Sequence, residues 1–476
     1  MNEDQKYADE LLERASIAAA EFSQLEQEQV DRIVEAVFRA AFSARVKLAR
    51  MALEETQLGV WQDKVLKNVV ASQLVYESIK HEKTVGVIST DELTGITEIA
   101  QPLGPIFAVT PVTNPTSTVI YKILICLKTR NPVIISPHRR ARNCSIETAR
   151  ICYEAALQAG APEDCILWIS RSSRDLTHAC MTDPRLALIL ATGGTGLVTA
   201  AYSSGTPALG VGPGNVPVFI DESADIPFAI ASIITSKCFD NGTVCASEQA
   251  IVTTAGIAEA VKAELMHQKC FILNNEEISQ LEHIAVNPET GMMSSEIVGQ
   301  SVKKIAEMAG LDIPPDTRIL IAPLPGVGSA YPLSGEILAP VLAFYVEPDY
   351  ISAIKTCIDL NYLGGIGHTV SIYANDETRI AEFSELMNAG RVVVNTPSSQ
   401  GAVGGIFNTL HTSFTLGCGA GGKNITTENI SALHLINIKR ICRRRDNHKW
   451  CNFDMNRYLQ EDAGLEDIIN EYNKNQ

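Results

Sequence analysis

Apolar residues fall on helical spacing from the start of the chain. Ala8, Leu11, Leu12, Ala15, Ala18, Ala19 and Phe22 form one stripe, and Val30, Ile33, Val34, Val37 and Phe38 another. The period predicts helices over residues 1–80. Two short β-branched runs follow, Thr84–Thr90 and Ile96–Gln101, flanking Asp91-Glu92-Leu93-Thr94-Gly95. They predict a hairpin whose exposed edge is available for pairing with another subunit.

From residue 105 the rhythm changes. Strand-like Ile106–Thr110 precedes helical Thr116–Lys128, and Pro132–Ser136 precedes a helix near 142–159. Cys165–Ile169 precedes a short helix near 174–182, and Leu186–Ala191 a helix from about Gly194. Continuous apolar strands alternating with amphipathic helices predict a parallel α/β sheet covered on both faces. Phosphates and nucleotides bind at the carboxyl ends of such strands. A second α/β pattern follows, with helices near 256–268, 275–284 and 297–309 and strands at Arg318–Ile321, Val341–Tyr345, Thr369–Tyr373 and Arg391–Val394. Residues 396–430, rich in Gly, Ser, Thr and Asn, read as loops lining a site. A basic cluster occupies 439–449, and Asn452–Gln476 reads as a helical tail.

Between the two patterns lies Phe239–Gln249, with Asn241-Gly242 as a turn signal and Cys245 among small residues. A thiol on a tight loop can be presented into a cleft; a buried structural cysteine is the competing reading. Three further stretches qualify as partners. Thr192-Gly193-Gly194-Thr195-Gly196 follows a strand and opens a helix, which suits a phosphate at a helix N-terminus or a plain tight turn. Gly210–Pro217 contains three glycines, including Gly212, and reads equally as a ligand approach or a connector. Asn114, after the first sheet strand, is either a helix cap or an oxyanion donor. His368, just before a strand, is either structural or a proton relay.

At 476 residues the chain predicts two or three domains. Its formal charge of −16 argues against nucleic acid or an anionic membrane as the main partner. Twelve cysteines without paired spacing, and no apolar leader, predict reduced thiols in the cytoplasm. No metal-ligand spacing stands out, and no apolar run is long enough for a membrane span.

Taken together, Thr113–Asn131, Ser136-Pro137-His138, Leu190–Gly196, Ala200–Gly205, Gly210–Asn215, Phe239–Gln249, Gly364–Thr369, Asn395–Pro397, Leu416–Gly419 and His434–Asn437 resemble the aldehyde dehydrogenase superfamily. The likeness covers roughly residues 10–440 and is greatest to the CoA-acylating branch, in particular the acetaldehyde dehydrogenase half of bifunctional aldehyde-alcohol dehydrogenases. It implies a Rossmann-type cofactor domain over 1–240 with an oligomerisation hairpin at about 84–101. A catalytic domain over 241–415, a return to the cofactor and oligomerisation region over 416–450, and a tail over 451–476 complete the expected plan.

The resemblance also implies roles. Cys245 matches the nucleophile, Asn114 the oxyanion donor and His368 a histidine typical of the acylating branch. Thr192, Gly193, Gly194 and Gly196 match the pyrophosphate turn, with Gly212 beside it. Glu336 matches the glutamate that holds the nicotinamide ribose. Ser136, Pro137, His138 and Arg139 match the adenosine-ribose loop, where Arg139 and Arg140 leave NAD and NADP both open. Val211 stands where hydrolytic members carry a general-base glutamate, so the acyl group is expected to pass to CoA and not to water.

The implied reaction is reversible oxidation of a short aldehyde, most simply acetaldehyde, to acyl-CoA. Alternatives are a charged aldehyde such as sulfoacetaldehyde or succinate semialdehyde, or a non-catalytic scaffold on the same fold. A homodimer or homotetramer is expected, with the tail available for docking into a bacterial microcompartment. The chain ends before the iron-dependent alcohol dehydrogenase part of the bifunctional relatives, so reduction to alcohol is expected to lie elsewhere.

Overall fold

A computed structural model describes residues 2–171, 173–287 and 290–474. It separates into two compact units, Met1–Glu82 with Pro102–Ile436, and Lys83–Gln101 with Asn437–Gln476.

The larger unit begins with the predicted helices, Glu3–Phe22, Gln27–Ser43, Arg45–Thr56 and Trp61–Val69. Every residue of the first two stripes is buried except Ala19 and Phe38, which lie at their margins. A π-helical turn, Val70–Leu74, continues Trp61–Val69 into Val75–Ile79; such an inserted turn leaves no periodic trace in sequence.

Two parallel sheets follow. The five-stranded sheet runs in the order Ile166–Trp168, Val133–Ser136, Ile106–Val109, Leu188–Thr192, Ala208–Val211. Its strands are short and almost wholly buried, as helices on both faces require. The helix Pro115–Lys128 is buried at every position. Even its Lys122 is inside, donating to the Val109 and Leu190 carbonyls at 2.6 and 2.8 Å. The seven-stranded sheet runs in the order Cys270–Ile272, Ile319–Pro323, Val341–Glu347, Glu248–Thr254, Val216–Ile220, Gly367–Tyr373, Ala389–Val394. All its adjacent strands are parallel.

Strands Ala208–Val211 and Val216–Ile220 flank Gly212-Pro213-Gly214-Asn215, which fits the connector reading of Gly210–Pro217. That loop is in fact where the chain leaves one sheet and enters the other.

The smaller unit holds the hairpin, Gly86–Asp91 antiparallel to Ile96–Pro102, with Ile436–Cys442 added as a third strand beside Ile96–Pro102. The basic cluster has local work there. Arg440 pairs with Glu98 at 2.9 Å, Arg443 donates to Thr97 Oγ1 at 3.1 Å, and Arg445 bonds the Glu92 and Leu93 carbonyls. The tail forms short helices, ending in Leu465–Lys474; residues 475 and 476 lie outside the described residues. Among the described residues, no helix is long and apolar enough to cross a membrane.

Candidate active site

Parallel strands deliver their ends to common edges, and the predicted residues sit on two of these edges. The loops at the carboxyl ends of Ile106–Val109, Val133–Ser136, Leu188–Thr192 and Ala208–Val211 carry Asn114, Ser136 to Arg139, Thr192 to Gly196, and Gly212. Cys245, Glu336 and His368 lie at or before the amino ends of Glu248–Thr254, Val341–Glu347 and Gly367–Tyr373.

A cleft collects Cys245, Asn114 and Thr192 on one wall-set with Lys67, Thr118, Val70, Phe239, Val244, Ser399, Gln400, Val403, Ile406, Ser413, Phe414 and Leu416. Cys245 is half-buried and every cysteine is a free thiol. Burial pushes the Cys245 thiol up to about 12, aided by the charge of Glu336 and by Cys418. Arg391 and the residue's own backbone N–H oppose the rise. Arg391 is itself buried and donates to the Gly417 carbonyl and, at 3.4 Å, to Asn429 and the Thr427 carbonyl. No carboxylate pairs with it among the described ion pairs, so its field reaches the site with little local cancellation.

Asn114 occupies the N-cap position of Pro115–Lys128, yet its side chain makes no capping bond. The amide turns elsewhere. Its Oδ1 accepts from Lys67 Nζ at 2.5 Å, and its Nδ2 lies 3.2 Å from Thr113 Oγ1 and 3.5 Å from the Thr243 carbonyl. Lys67 also reaches Asp240 Oδ2 at 2.5 Å and Thr243 Oγ1 at 2.9 Å. Asp240 accepts further bonds from Lys64 Nζ at 2.9 Å and the Val60 N–H at 2.7 Å, and its own N–H donates to Asp63 at 2.8 Å. Asp240 and Asn241 adopt φ of 50° and 54°, the left-handed region that ordinary residues avoid unless the surroundings hold them. Burial pushes the Asp240 carboxyl up, but Lys67 and Lys64 outweigh it and hold it below the ordinary range.

Gly214 joins the remaining residues. Its N–H donates to Glu336 Oε1 at 3.0 Å, and its Cα faces the Cys245 carbonyl and the His368 ring. Burial raises the Glu336 carboxyl to about 7, against the pull of the Gly214 N–H and Lys237. His368 is fully buried and shares a 2.9 Å hydrogen bond with Thr369 Oγ1 through Nδ1, and its Nε2 has no partner among the described residues. Burial, then Arg391, lowers its pKa to about 3, so it is neutral. Val211, 2% exposed, packs with Val244 and Ala246 on either side of the thiol.

The glycine turn leaves room. Gly194 precedes the helix Thr195–Tyr202, and a Cβ at Gly194, Gly196 or Gly212 would have nothing within 4 Å among the described residues. Packing within the protein therefore does not require glycine at these three positions. Gly193 differs, because its Cβ would meet Leu197 at 2.7 Å. His138, Arg139 and Arg140 are exposed at the end of Val133–Ser136.

Nothing in the sequence singles out Lys67, Asp240 or Arg391. Lys67 falls within the helical stretch of residues 1–80, and Arg391 opens a strand-like run. Their positions depend on partners up to 180 residues away.

The model of the aldehyde dehydrogenase family matches residues 1–275. The chain belongs to the aldehyde dehydrogenase family. This aldehyde dehydrogenase is 43% identical over 471 residues to the bifunctional aldehyde-alcohol dehydrogenase AdhE of Escherichia coli (strain K12), a match covering 98% of this chain and 53% of that relative. It thus spans about half the length of such curated relatives. An acetylating aldehyde dehydrogenase from Geobacillus thermoglucosidasius has the same fold, with a TM-score of 0.91 and 45% identity over 93% of this chain and 98% of that one. A Rhodopseudomonas palustris propionaldehyde dehydrogenase, solved with bound CoA and an acylated cysteine, superposes with a TM-score of 0.80 and 26% identity over 92% and 97% of the two chains.

Proposed function

We propose that this aldehyde dehydrogenase converts a short uncharged aldehyde, acetaldehyde first, to its acyl-CoA, reversibly, through a thioester on Cys245. The observation that carries the reading is the apolar wall beside the thiol, where Val211 stands with Val244 and Ala246 and offers no carboxylate to activate water. The similarity to acetylating relatives supports the same conclusion.

The steps follow from the residues. The Cys245 thiolate adds to the aldehyde carbon, and the Asn114 amide and the Cys245 backbone N–H take the negative charge on oxygen. Arg391 favours the thiolate over the thiol. A nicotinamide dinucleotide, NAD or NADP, supplies the hydride acceptor when bound. The open turn Thr192 to Gly196 and Gly212 suit its pyrophosphate, Glu336 its nicotinamide ribose, and Ser136 to Arg139 its adenosine ribose. Collapse of the oxyanion with loss of hydride leaves the acyl group on sulfur. The CoA thiolate then attacks that carbonyl and Cys245 leaves as thiolate, an exchange of one thioester for another.

The lining favours uncharged substrates. Val70, Phe239, Val244, Val403, Ile406, Phe414 and Leu416 are apolar, and the cation among these described lining residues, Lys67, is committed to Asp240. The test is a rate matrix of acetaldehyde, propanal, succinate semialdehyde and sulfoacetaldehyde against NAD and NADP, with and without CoA. The expected result is reduced cofactor and acyl-CoA from the two uncharged aldehydes, slow free-acid formation without CoA, and no turnover by Cys245→Ala. Free acid appearing as fast as acyl-CoA, or an active Cys245→Ala, would sink the proposal.

A further inference from the structure

An oxyanion donor has to point the right way, and a carboxamide has two orientations of nearly equal shape. Only one end of Asn114 donates. The structure contains a device that chooses between them. Lys67 Nζ sits 2.5 Å from the Asn114 oxygen, and an ammonium has donors only, so the oxygen must be the end that faces it. The NH2 group is thereby turned to the side of the nucleophile loop. Of its two N–H donors, one reaches Thr113 Oγ1 at 3.2 Å and the other has only a long 3.5 Å contact to the Thr243 carbonyl, so that second donor keeps capacity for a substrate oxygen.

Lys67 is itself fixed. Asp240 and Thr243 take its other donors, and Asp240 is anchored by Lys64 and by the Val60 N–H. The chain of bonds therefore runs from the nucleophile loop through Asp240 and Lys67 to the Asn114 amide. A cation on the amide oxygen also polarises the group and strengthens its N–H donors.

We propose that Lys67 is a positioning residue for the reaction: held by Asp240, it locks the Asn114 carboxamide with its NH2 group toward the carbonyl oxygen of a substrate on Cys245. The inference rests on the roles given to Asn114 and Cys245 under the proposed function.

A pH signature follows. The charged groups facing Lys67 are Asp240 from the nucleophile loop and Lys64 and Asp63 from its own helix. Burial lowers its pKa to about 8, Lys64 adds to the fall, and Asp240 and Asp63 oppose it. Above that pH the ammonium loses a proton and its hold on the amide oxygen weakens.

The experiment is a double-mutant cycle of Lys67→Met and Asn114→Ala, read as kcat/KM for acetaldehyde with CoA and cofactor. Lys67→Gln, which keeps a donor, runs in parallel, and thermal unfolding checks each fold. Iodoacetamide alkylation of Cys245 reports the thiol without using the oxyanion donor. Asn114→Ala is expected to lower kcat/KM by about 10²–10³-fold and Lys67→Met by about tenfold or more. Lys67→Met should add almost nothing in the Asn114→Ala background. Lys67→Gln should recover part of the loss, and alkylation should be little changed. The ratio of wild-type to Lys67→Met activity should fall as pH rises past about 8. Losses that multiply in full, an undiminished Lys67→Met, or a ratio flat with pH overturns the inference while leaving the proposed function standing. An undiminished Asn114→Ala overturns both.

Discussion

Gly214 is the most informative single position to disturb. Its φ lies outside the left-handed region, so any backbone strain is set aside and only space is at issue. A Cβ there would fall well inside the contact radius of the Cys245 carbonyl oxygen and lie 3.2 Å from Cγ and Nδ1 of His368. The obstacle is backbone, which cannot swing aside as a side-chain tip can. Gly214→Ala therefore forces the crossover loop and the nucleophile loop apart by roughly 1 Å, a displacement that costs on the order of 10²-fold in rate when it misplaces a reacting group. The stability cost of such overpacking is about 1–3 kcal/mol. The Glu336 bond to the Gly214 N–H is disturbed in the same movement. The assay is CoA-dependent formation of reduced cofactor, with thermal unfolding beside it. Gly364→Ala is the control: its Cβ would approach nothing closer than 3.9 Å and its backbone is helical, so it should be near neutral or slightly stabilising. A Gly214→Ala enzyme with wild-type kcat/KM, or one no worse than the control, refutes the reasoning.

Two other predictions concern buried charge. Asp240→Asn leaves Lys64 and Lys67 buried without a full counter-charge and should cost about 3–5 kcal/mol in denaturant unfolding, less at pH well above 8, where Lys67 is neutral. An unchanged unfolding midpoint at neutral pH would count against the network. His368 should make stability fall on the acid side. The unfolded chain takes up a proton near pH 6.5, the folded chain only near 3, so stability declines as pH drops between those values; His368→Gln should flatten that slope.

Much of this architecture is readable along the chain because it is local. The helix Pro115–Lys128, the hairpin and the buried strands carry their own periodicity, and the turn around Cys245 carries its own small residues. The site is less legible. Asn114 carries the marks of a helix cap, and only its missing capping bond shows the amide to be engaged elsewhere. Lys67 and Asp240 are a helix lysine and a loop aspartate until folding brings them within 2.5 Å. Arg391 reads as a strand residue, and nothing in its neighbours announces a buried guanidinium lacking an acid. Spacing cannot encode such pairs, because desolvation and orientation arise only when distant segments meet.

The three-stranded sheet of the smaller unit has a bearing on how the chain is made. Its hairpin and its third strand, Ile436–Cys442, are more than three hundred residues apart. Contacts so remote in sequence form late, since a long loop must close before they return anything. During synthesis the edge at Ile96–Pro102 therefore waits without its partner while the intervening sheets emerge and fold. An unpaired strand edge invites pairing with another chain. The hairpin's outer strand is exposed at all positions but Ile88, and Asp91, Glu92 and Glu98 put charge on the hairpin, which discourages such pairing. The arginines of the closing strand and its extension then claim the hairpin once the rest of the chain has been made.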